Sequence, residues 1–277
     1  MLVTLSEILR DADRCHYAVG AFNCLSVENV MGAIRAAERL HSPIILQLAE
    51  VQFPEAPLEL MAPIFLQAAQ RAKIPVCVHL DHGQSLETCV RAIRLGFTSV
   101  MFDGAALPFD ENVAITSQVT RIAKAAGVDV EAELGKVGNS GVDTADVFTD
   151  VNESVRFVGQ TGIDALAIAI GNLHGHYVHT PRLNIRRLKE IHQANRLPLV
   201  LHGGSGTSTE DFKSCIHNGI CKVNVATAIQ RGITRQLLDY VKTVPEPDYI
   251  SMKAGMIAAS EKIIADHIRL FESNNRC

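Results

Sequence analysis

Pro75-Val-Cys-Val-His-Leu-Asp-His-Gly83 is followed at once by Leu86–Leu95 at helical spacing. A run of strand length, apolar except at His79, ends in a short polar turn and gives way to a helix. The same unit recurs along the chain. Apolar runs of strand length lie at Ala18–Phe22, Ile44–Leu48, Pro75–Leu80, Ser99–Phe102, Val128–Leu134, Ala165–Ile170, Leu197–Leu201 and Ile220–Val225. Helical spacing fills the gaps at Val27–Leu40, Leu58–Ala72, Leu86–Leu95, Asn112–Ala126, Asn152–Gln160, Asn184–Ala194, Glu210–His217 and Ala228–Val241. Near-continuous apolar strands alternating with helices predict a parallel sheet covered on both faces. Eight such units predict an α/β fold of the closed (β/α)8 TIM-barrel type, with Tyr249–Phe271 as an extra C-terminal helix. An open doubly wound sheet would announce itself by a Gly-rich turn after its first strand. Here that strand ends in Gly20-Ala-Phe-Asn23, which is not that turn.

The 277 residues suit one large α/β domain or two small ones, and 1–277 is read as a single domain. Apolar residues make up 47% and charged residues 20%, so the chain can bury a core and is not intrinsically disordered. A formal net charge of −4 leaves no basic excess for a nucleic-acid backbone, and no Lys/Arg run marks a membrane surface. The N-terminus, Met1-Leu-Val-Thr-Leu-Ser-Glu7, lacks a basic n-region with an apolar stretch behind it. Seven cysteines (15, 24, 77, 89, 215, 221, 277) form no CxxC pair, which reads as reduced thiols in a cytoplasmic protein.

In such barrels chemistry sits at the C-terminal ends of the strands. Those ends carry Asn23, His79, Asp81, His82, Asp103, Glu131, Glu133, His174, His202 and Asn224. His82, His174 and His202 each precede a glycine, which lets a ligand approach the backbone closely. Three imidazoles from three strand ends can converge on one Zn²⁺ and leave a coordination position open. Three neutral ligands keep the full dication charge for Lewis-acid work on a carbonyl. The alternative is that each imidazole only hydrogen-bonds its own loop. Asp81 could carry a proton to a metal-held oxygen, or could orient an imidazole. Glu131 and Glu133 share strand parity and can both face the barrel axis. Asp103 and Glu133 suit either a second metal position or a structural network. His79 is read as either a barrel-layer residue or part of the site. His16, His41, His192, His217 and His267 belong to no cluster and are read as solvated.

Leu201-His-Gly-Gly-Ser-Gly-Thr-Ser-Thr-Glu-Asp211 reads as strand, Gly-rich loop and helix start. Thr207 with Glu210, or Ser208 with Asp211, could form a capping box there. Lys222-Val-Asn-Val-Ala-Thr227 follows as the last strand and its turn. Loops after strands 7 and 8 are the usual phosphate cradle of this architecture. A metal, a proton carrier and a phosphate seat together suit enolisation of a phosphorylated ketone, the chemistry of a metal aldolase.

On these residues the chain resembles the class II, zinc-dependent fructose/tagatose-bisphosphate aldolase family, from Ala21-Phe-Asn23 to the Gly255-Met256 region. The matching motifs, in order, are His79-Leu-Asp-His82, Met101-Phe-Asp-Gly104, Glu131-Ala-Glu-Leu-Gly135, Ala167-Ile-Ala-Ile-Gly171 with His174-Gly175, Leu199-Val-Leu-His-Gly203, and Lys222-Val-Asn-Val-Ala-Thr227. The resemblance implies reversible aldol cleavage of a ketose 1-phosphate or bisphosphate to dihydroxyacetone phosphate and an aldehyde. It makes His82, His174 and His202 the zinc ligands and Asp81 the proton carrier on the aldehyde side. It places Asp103 and Glu133 at a second or resting metal position. Asn23 and Asn224 would contact the ketone phosphate or its enediolate. Gly175, Gly203, Ser205, Asn224, Val225, Ala226 and Thr227 would cradle its phosphate, with Na⁺ or K⁺ nearby. It implies a small-molecule sugar phosphate as substrate, no nucleic-acid or membrane partner, and a cytoplasmic homo-oligomer, dimer or tetramer.

The chain departs from that family in three places. Ala49, followed by Glu50, stands where members acting on bisphosphates carry a small hydroxyl residue for the distal phosphate. Lys253 stands for a late Arg that reaches the same phosphate, and lacks its bidentate fork. The expected aldehyde is therefore not glyceraldehyde 3-phosphate. The loop after strand 5, Gly138-Asn-Ser-Gly-Val-Asp143, is short; Asp143, then Asp146, is the best substitute for its mobile acid. The basic residue expected after the His-Gly of strand 6 is missing at Val178, where His179 or Arg182 would compensate. Three other readings compete. A metal-dependent hydrolase on this barrel wants a His-x-His pair on strand 1, where the chain offers only Asn23. A Schiff-base aldolase needs an interior lysine, for which Lys222 is the candidate. A catalytically silent companion subunit would be expected to lose ligands that this chain retains.

Overall fold

The computed structural model describes residues 1–135, 137–139, 148–174, 182–204 and 206–277, and for 138, 139 and 174 the backbone alone. Eight parallel strands form a closed ring: β1 (Val19–Asn23), β2 (Ile44–Ala49), β3 (Val76–Gly83), β4 (Ser99–Phe102), β5 (Asp129–Leu134), β6 (Ala165–Ile168), β7 (Leu199–Leu201) and β8 (Ile220–Val225). Each pairs with the next, and β8 closes the ring by pairing Asn224 with Ala21 of β1. The chain is therefore a (β/α)8 TIM barrel. After the strands come α1 (Val27–Leu40), α2 (Leu58–Arg71), α3 (Leu86–Arg94), α4 (Phe109–Ala125), α5 (Val151–Thr161), α6 (Ile185–Asn195), α7 (Thr209–Ile216) and α8 (Thr227–Thr243). The extra C-terminal helix, α9 (Tyr249–Leu270), lies across α1, where Asn29 Nδ2 donates to Ser260 Oγ at 3.1 Å.

Alternation of side chains along each strand sorts the residues into two sets. Outward-facing Phe22, Leu46, Leu48, Val78, Leu80, Val100, Val130, Leu166 and Leu201 are all buried against the helices. Each such large side chain stabilises by about 1.5–3 kcal/mol relative to leaving it in water. The inward set begins, at the N-terminal end, with Val19, Ala21, Ile45, Cys77, Ala165, Ala167 and Val200. Leu5, Ile8, Leu9 and Ala12 of an N-terminal helix, Leu5–Cys15, plug that end. Sequence spacing left this helix out. Its signal was the Thr4-x-x-Glu7 capping box, which forms with both reciprocal bonds. Toward the C-terminal end the inward set turns polar, and the site begins there.

Of the histidines read as solvated, His16, His41 and His217 are exposed, while His192 and His267 are partly buried. His16 and His41 end helices in left-handed conformation, at φ 52° and 47°. His192 pairs with Asp13 at 3.0 Å and His217 with Glu272 at 3.1 Å. The His267 ring sits edge-on to Phe271, with burial lowering its pKa.

Candidate active site

β3 does not stop at Leu80 but carries Asp81, His82 and Gly83 within the strand, with a register shift against β4 between Leu80 and Gly83. That irregularity puts His82 at φ +45°, unusual for a non-glycine residue and a common mark of functional positions. Asp81 and His82 are thus held by a ladder rather than by a free loop.

The Asp81 carboxylate is buried and receives three amides. Asn23 Nδ2 donates to Oδ2 at 2.9 Å, Gln47 Nε2 to Oδ2 at 3.2 Å, and Asn224 Nδ2 to Oδ1 at 2.9 Å. Burial alone would raise its pKa, but nearby His82, His202, Lys222 and the Asn23 bond outweigh it and hold the acid below its ordinary value. His82 Nδ1 lies 2.7 Å from Asp103 Oδ2, which fixes its ring and leaves Nε2 3.8 Å from Asp81 Oδ1. His202 follows β7 and packs edge-to-face on His82, centroids 4.6 Å apart. Its Nε2 meets Glu131 Oε1 at 2.9 Å and its Nδ1 lies 3.1 Å from Glu133 Oε2. Burial would depress the His202 pKa, yet the two carboxylates raise it to about 10.

Beneath this cluster runs a buried charge network. Lys222 Nζ lies 2.8 Å from Glu131 Oε2 and donates to Asn224 Oδ1 at 2.7 Å. His79 bonds Ser99 Oγ at 2.8 Å and sits 3.6 Å from Glu131 Oε2; burial first, then Lys222, pushes its pKa down to about 3. His79 is therefore a neutral layer residue beneath the site. Asn172 fastens the site from the side, its Nδ2 donating to the His202 carbonyl at 3.0 Å. Gln47, Asn172 and Gln52 were not singled out from sequence. Strand parity with Ile45 pointed Gln47 inward, but an amide attracts less notice than a charge.

A cavity of about 160 Å³ opens over Asp81 and His82. Asn23, Ala49, Val51 and Gln52 form one wall. Gly203, Gly204, Asn224, Ala226 and Thr227 form the other, at the start of α8. Helix α7 takes the second of its two capping options, with Ser208 Oγ accepting from the Asp211 amide at 3.0 Å. The ligand atoms of Asp81, His82 and His202 all lie within 4.8 Å of one another, as do those of His82, Asp103 and Glu133. Imidazoles and carboxylates at that spacing suit a divalent cation. The two carboxylates that favour a proton on His202 would equally favour a cation in its place.

Other expected residues stand apart. Glu50 turns away from the cavity, accepting from the Gln84 amide at 2.6 Å and Thr88 Oγ1 at 2.8 Å. Lys253 pairs with Glu28 at 2.6 Å and does not line the cavity. The Val225 side chain packs into the outer apolar layer, so only its backbone could meet a ligand. Lys222, the Schiff-base candidate, is fully buried in its ion pair. Gly175, Ser205, Asp143, Asp146, Val178 and His179, with the His174 side chain, lie outside the described residues.

A model of the family described as fructose-bisphosphate aldolase class-II matches residues 3–276. A Bacillus subtilis (strain 168) protein described as a probable fructose-bisphosphate aldolase is 39% identical over 284 residues, covering 99% of both chains. The crystal structure of the YdjI aldolase from Escherichia coli K12 superposes with a TM-score of 0.92 at 33% identity, covering 100% of this chain and 99% of that one. The fructose-bisphosphate aldolase structure from Campylobacter jejuni, with a TM-score of 0.82 at 21% identity, covers 100% of this chain and 97% of its own and shares the fold.

Proposed function

The chain belongs to the class II fructose-bisphosphate aldolase family, a family of metal-dependent carbon–carbon lyases, and we propose that it cleaves a ketose phosphate reversibly to dihydroxyacetone phosphate and an aldehyde. The observation that supports this most is the meeting of Asp81, His82 and His202 at the head of a cavity whose far wall is the start of α8.

In this reading His82, His174 and His202 hold Zn²⁺. The ion, when bound, supplies Lewis-acid polarisation of the ketone carbonyl. The protein's own groups do the rest. Asp103 orients the His82 ring through Nδ1, and Glu131 and Glu133 bracket the His202 ring at Nε2 and Nδ1, so that an ion bound there would take the place of one of these contacts. Asp103 and Glu133 offer a second or resting position. Asn224 and Asn23 orient the ketone half. Gly175, Gly203, Ser205 and the backbone of 225–227 receive its phosphate, helped by the positive end of α8 and by Na⁺ or K⁺. Asp81, gripped by three amides, gives a proton to the aldehyde-side oxygen in synthesis and takes it back in cleavage. Asp143 is the acid assigned to the carbon-bound proton. The working unit is a single-domain, cytoplasmic homo-oligomer.

The aldehyde in this reading is not glyceraldehyde 3-phosphate. Ala49 offers no side-chain donor. Lys253 is engaged with Glu28, and no Lys or Arg is among the described residues that line the cavity. Glu50 has no part in this discrimination, because its carboxylate faces α3.

The first test is proton exchange. Dihydroxyacetone phosphate is incubated in D₂O with the protein, with and without a chelator, and its carbon-bound protons are followed by NMR. Exchange that the chelator abolishes and zinc restores is the expected result. Exchange that survives chelation overturns the metal reading. Comparable turnover of fructose or tagatose 1,6-bisphosphate and the matching 1-phosphates overturns the unphosphorylated aldehyde.

A further inference from the structure

Gln52 ends the single 3-10 turn Glu50–Gln52 that follows β2, and it lines the cavity beside Asn23, Ala49 and Asp81. Its side-chain amide has a settled orientation. Oε1 accepts from the Ala49 backbone amide at 3.1 Å and from Asn23 Nδ2 at 3.4 Å. A backbone N–H can only donate, so the oxygen must face Ala49 and Nε2 must face away from it. No described residue accepts from Nε2. The acceptor nearest in kind, the Asp81 carboxylate, already takes Asn23, Gln47 and Asn224. Gln52 thus carries a pinned, uncharged pair of N–H groups on the cavity wall beside the proton carrier.

We propose that Gln52 is a specificity residue on the aldehyde side, donating from Nε2 to a hydroxyl oxygen of a neutral hydroxyaldehyde held beside Asp81. The inference rests on the aldolase reading above and names its substrate class. A carboxamide matches a hydroxyl in charge and reach, whereas a phosphate dianion calls for a cation or several amides. An aldehyde without hydroxyls leaves the pinned N–H pair facing nothing, which a binding site built this way penalises. The neighbouring Ala49 and Val51 add apolar contact and no competing donor side chain.

The test is a cycle of two variants and two aldehydes. The zinc-loaded protein condenses saturating dihydroxyacetone phosphate with glyceraldehyde or with propanal, which has the same chain length and no hydroxyls. Gln52→Leu removes both donors. Gln52→Glu keeps an oxygen for the Ala49 amide and Asn23 while removing the donors, so the turn stays tied down. Both variants are expected to raise the KM for glyceraldehyde about tenfold and the KM for propanal less than about twofold, which collapses the preference for the hydroxylated aldehyde. Equal loss with both aldehydes, or loss in kcat alone, would show a structural role through Asn23 and overturn the proposal. An unchanged preference in Gln52→Glu overturns it as well. Wild-type protein that exchanges no protons from dihydroxyacetone phosphate overturns the aldolase reading and this inference with it. Wild-type exchange with an unmoved aldehyde preference overturns this inference alone.

Discussion

The same eight strands build two floors inside one barrel. On the lower floor Val19, Ala21, Ile45, Cys77, Ala165, Ala167 and Val200 pack on the N-terminal helix, and all are buried. Two residues further along the same strands stand Asn23, Gln47 and His79, with Asp81, Glu131, Glu133, Lys222 and Asn224 around them, and all of these are buried as well. The lower floor gains free energy by leaving water. The upper floor loses it, since each buried charge is costly until paired. Nothing in stability alone favours filling half a barrel with charge. What the polar floor provides is a set of side chains fixed by one another: Lys222 on Glu131 and Asn224, Glu131 on His202, Asn224 on Asp81. The lower floor holds the barrel together, and the upper floor aims groups at the cavity.

The strongest way to separate the floors is Asp81→Asn. The change keeps size but sets an N–H donor where a carboxylate oxygen accepts from amides, so the melting temperature should fall modestly. Aldol turnover should fall by about 10²–10⁴-fold, the usual worth of a positioned acid–base group. Steady-state kinetics beside a thermal melt checks both halves. Lost stability with turnover kept would mean that Asp81 belongs to the scaffold.

Much of this division could be read in the chain. All eight strands came from apolar runs of the right length, and polar residues at their ends located the rim. Floor, however, is not a property of periodicity. A period of two says that Ile45 and Gln47 share a face, but not that one lies under a helix and the other beside Asp81. Closure of the ring decides that, by the registers Asn23 with Gln47 and Gln47 with His79. Glu131 was legible as an inward carboxylate, yet its place as the hub joining Lys222 to His202 depends on strands β5, β7 and β8 meeting across the barrel. Which way Glu50 faces was open in the sequence for a similar reason. A turn of 3-10 helix swings it toward Thr88 and brings Gln52 over the cavity in its stead.

The next contrast is energetic. Lys222→Met strips the partner from a fully buried Glu131 and should destabilise by about 3–5 kcal/mol. Ile45→Ala on the lower floor should cost about 2–5 kcal/mol through lost transfer and a residual cavity. The two differ in repair. Adding Glu131→Leu to Lys222→Met removes the orphaned charge and should recover most of the stability while turnover stays lost. Denaturant unfolding of the three variants checks the order. If the double variant is no more stable than Lys222→Met, the upper floor is a structural core like the lower one.

His79 sharpens the comparison by pH. Its imidazole is held neutral at a pKa of about 3, against about 6.5 when unfolded. Lys222, Glu131, Asp81 and His202 face it. Between those values the unfolded chain binds a proton that the folded chain refuses, so stability falls as pH falls through that window. His79→Gln can keep a bond to Ser99 Oγ and removes the titration. The acid limb of the stability curve should flatten by up to about 1.4 kcal/mol per pH unit. Unfolding midpoints at pH 4 to 7 measure it, and identical slopes in both proteins would place the acid sensitivity elsewhere.

The smallest effect belongs to Lys253, which sequence comparison placed at the distal end of the substrate. The structure gives it a different engagement, with Glu28 at 2.6 Å and over the Tyr249 ring at 5.5 Å. Lys253 itself is exposed, but the Glu28 carboxylate is largely buried, so solvent screens the pair only in part. Lys253→Met leaves Glu28 without its cation and should lower the melting temperature by a few degrees. It should also leave the ratio of kcat/KM for phosphorylated and unphosphorylated aldehydes within about twofold, because a charge committed to Glu28 contributes little to reading a distant phosphate. A selective loss with the phosphorylated aldehyde alone would mean that Lys253 leaves Glu28 when substrate arrives. The aldehyde end would then be read by charge, and the neutral wall of Ala49 and Gln52 would cease to define it.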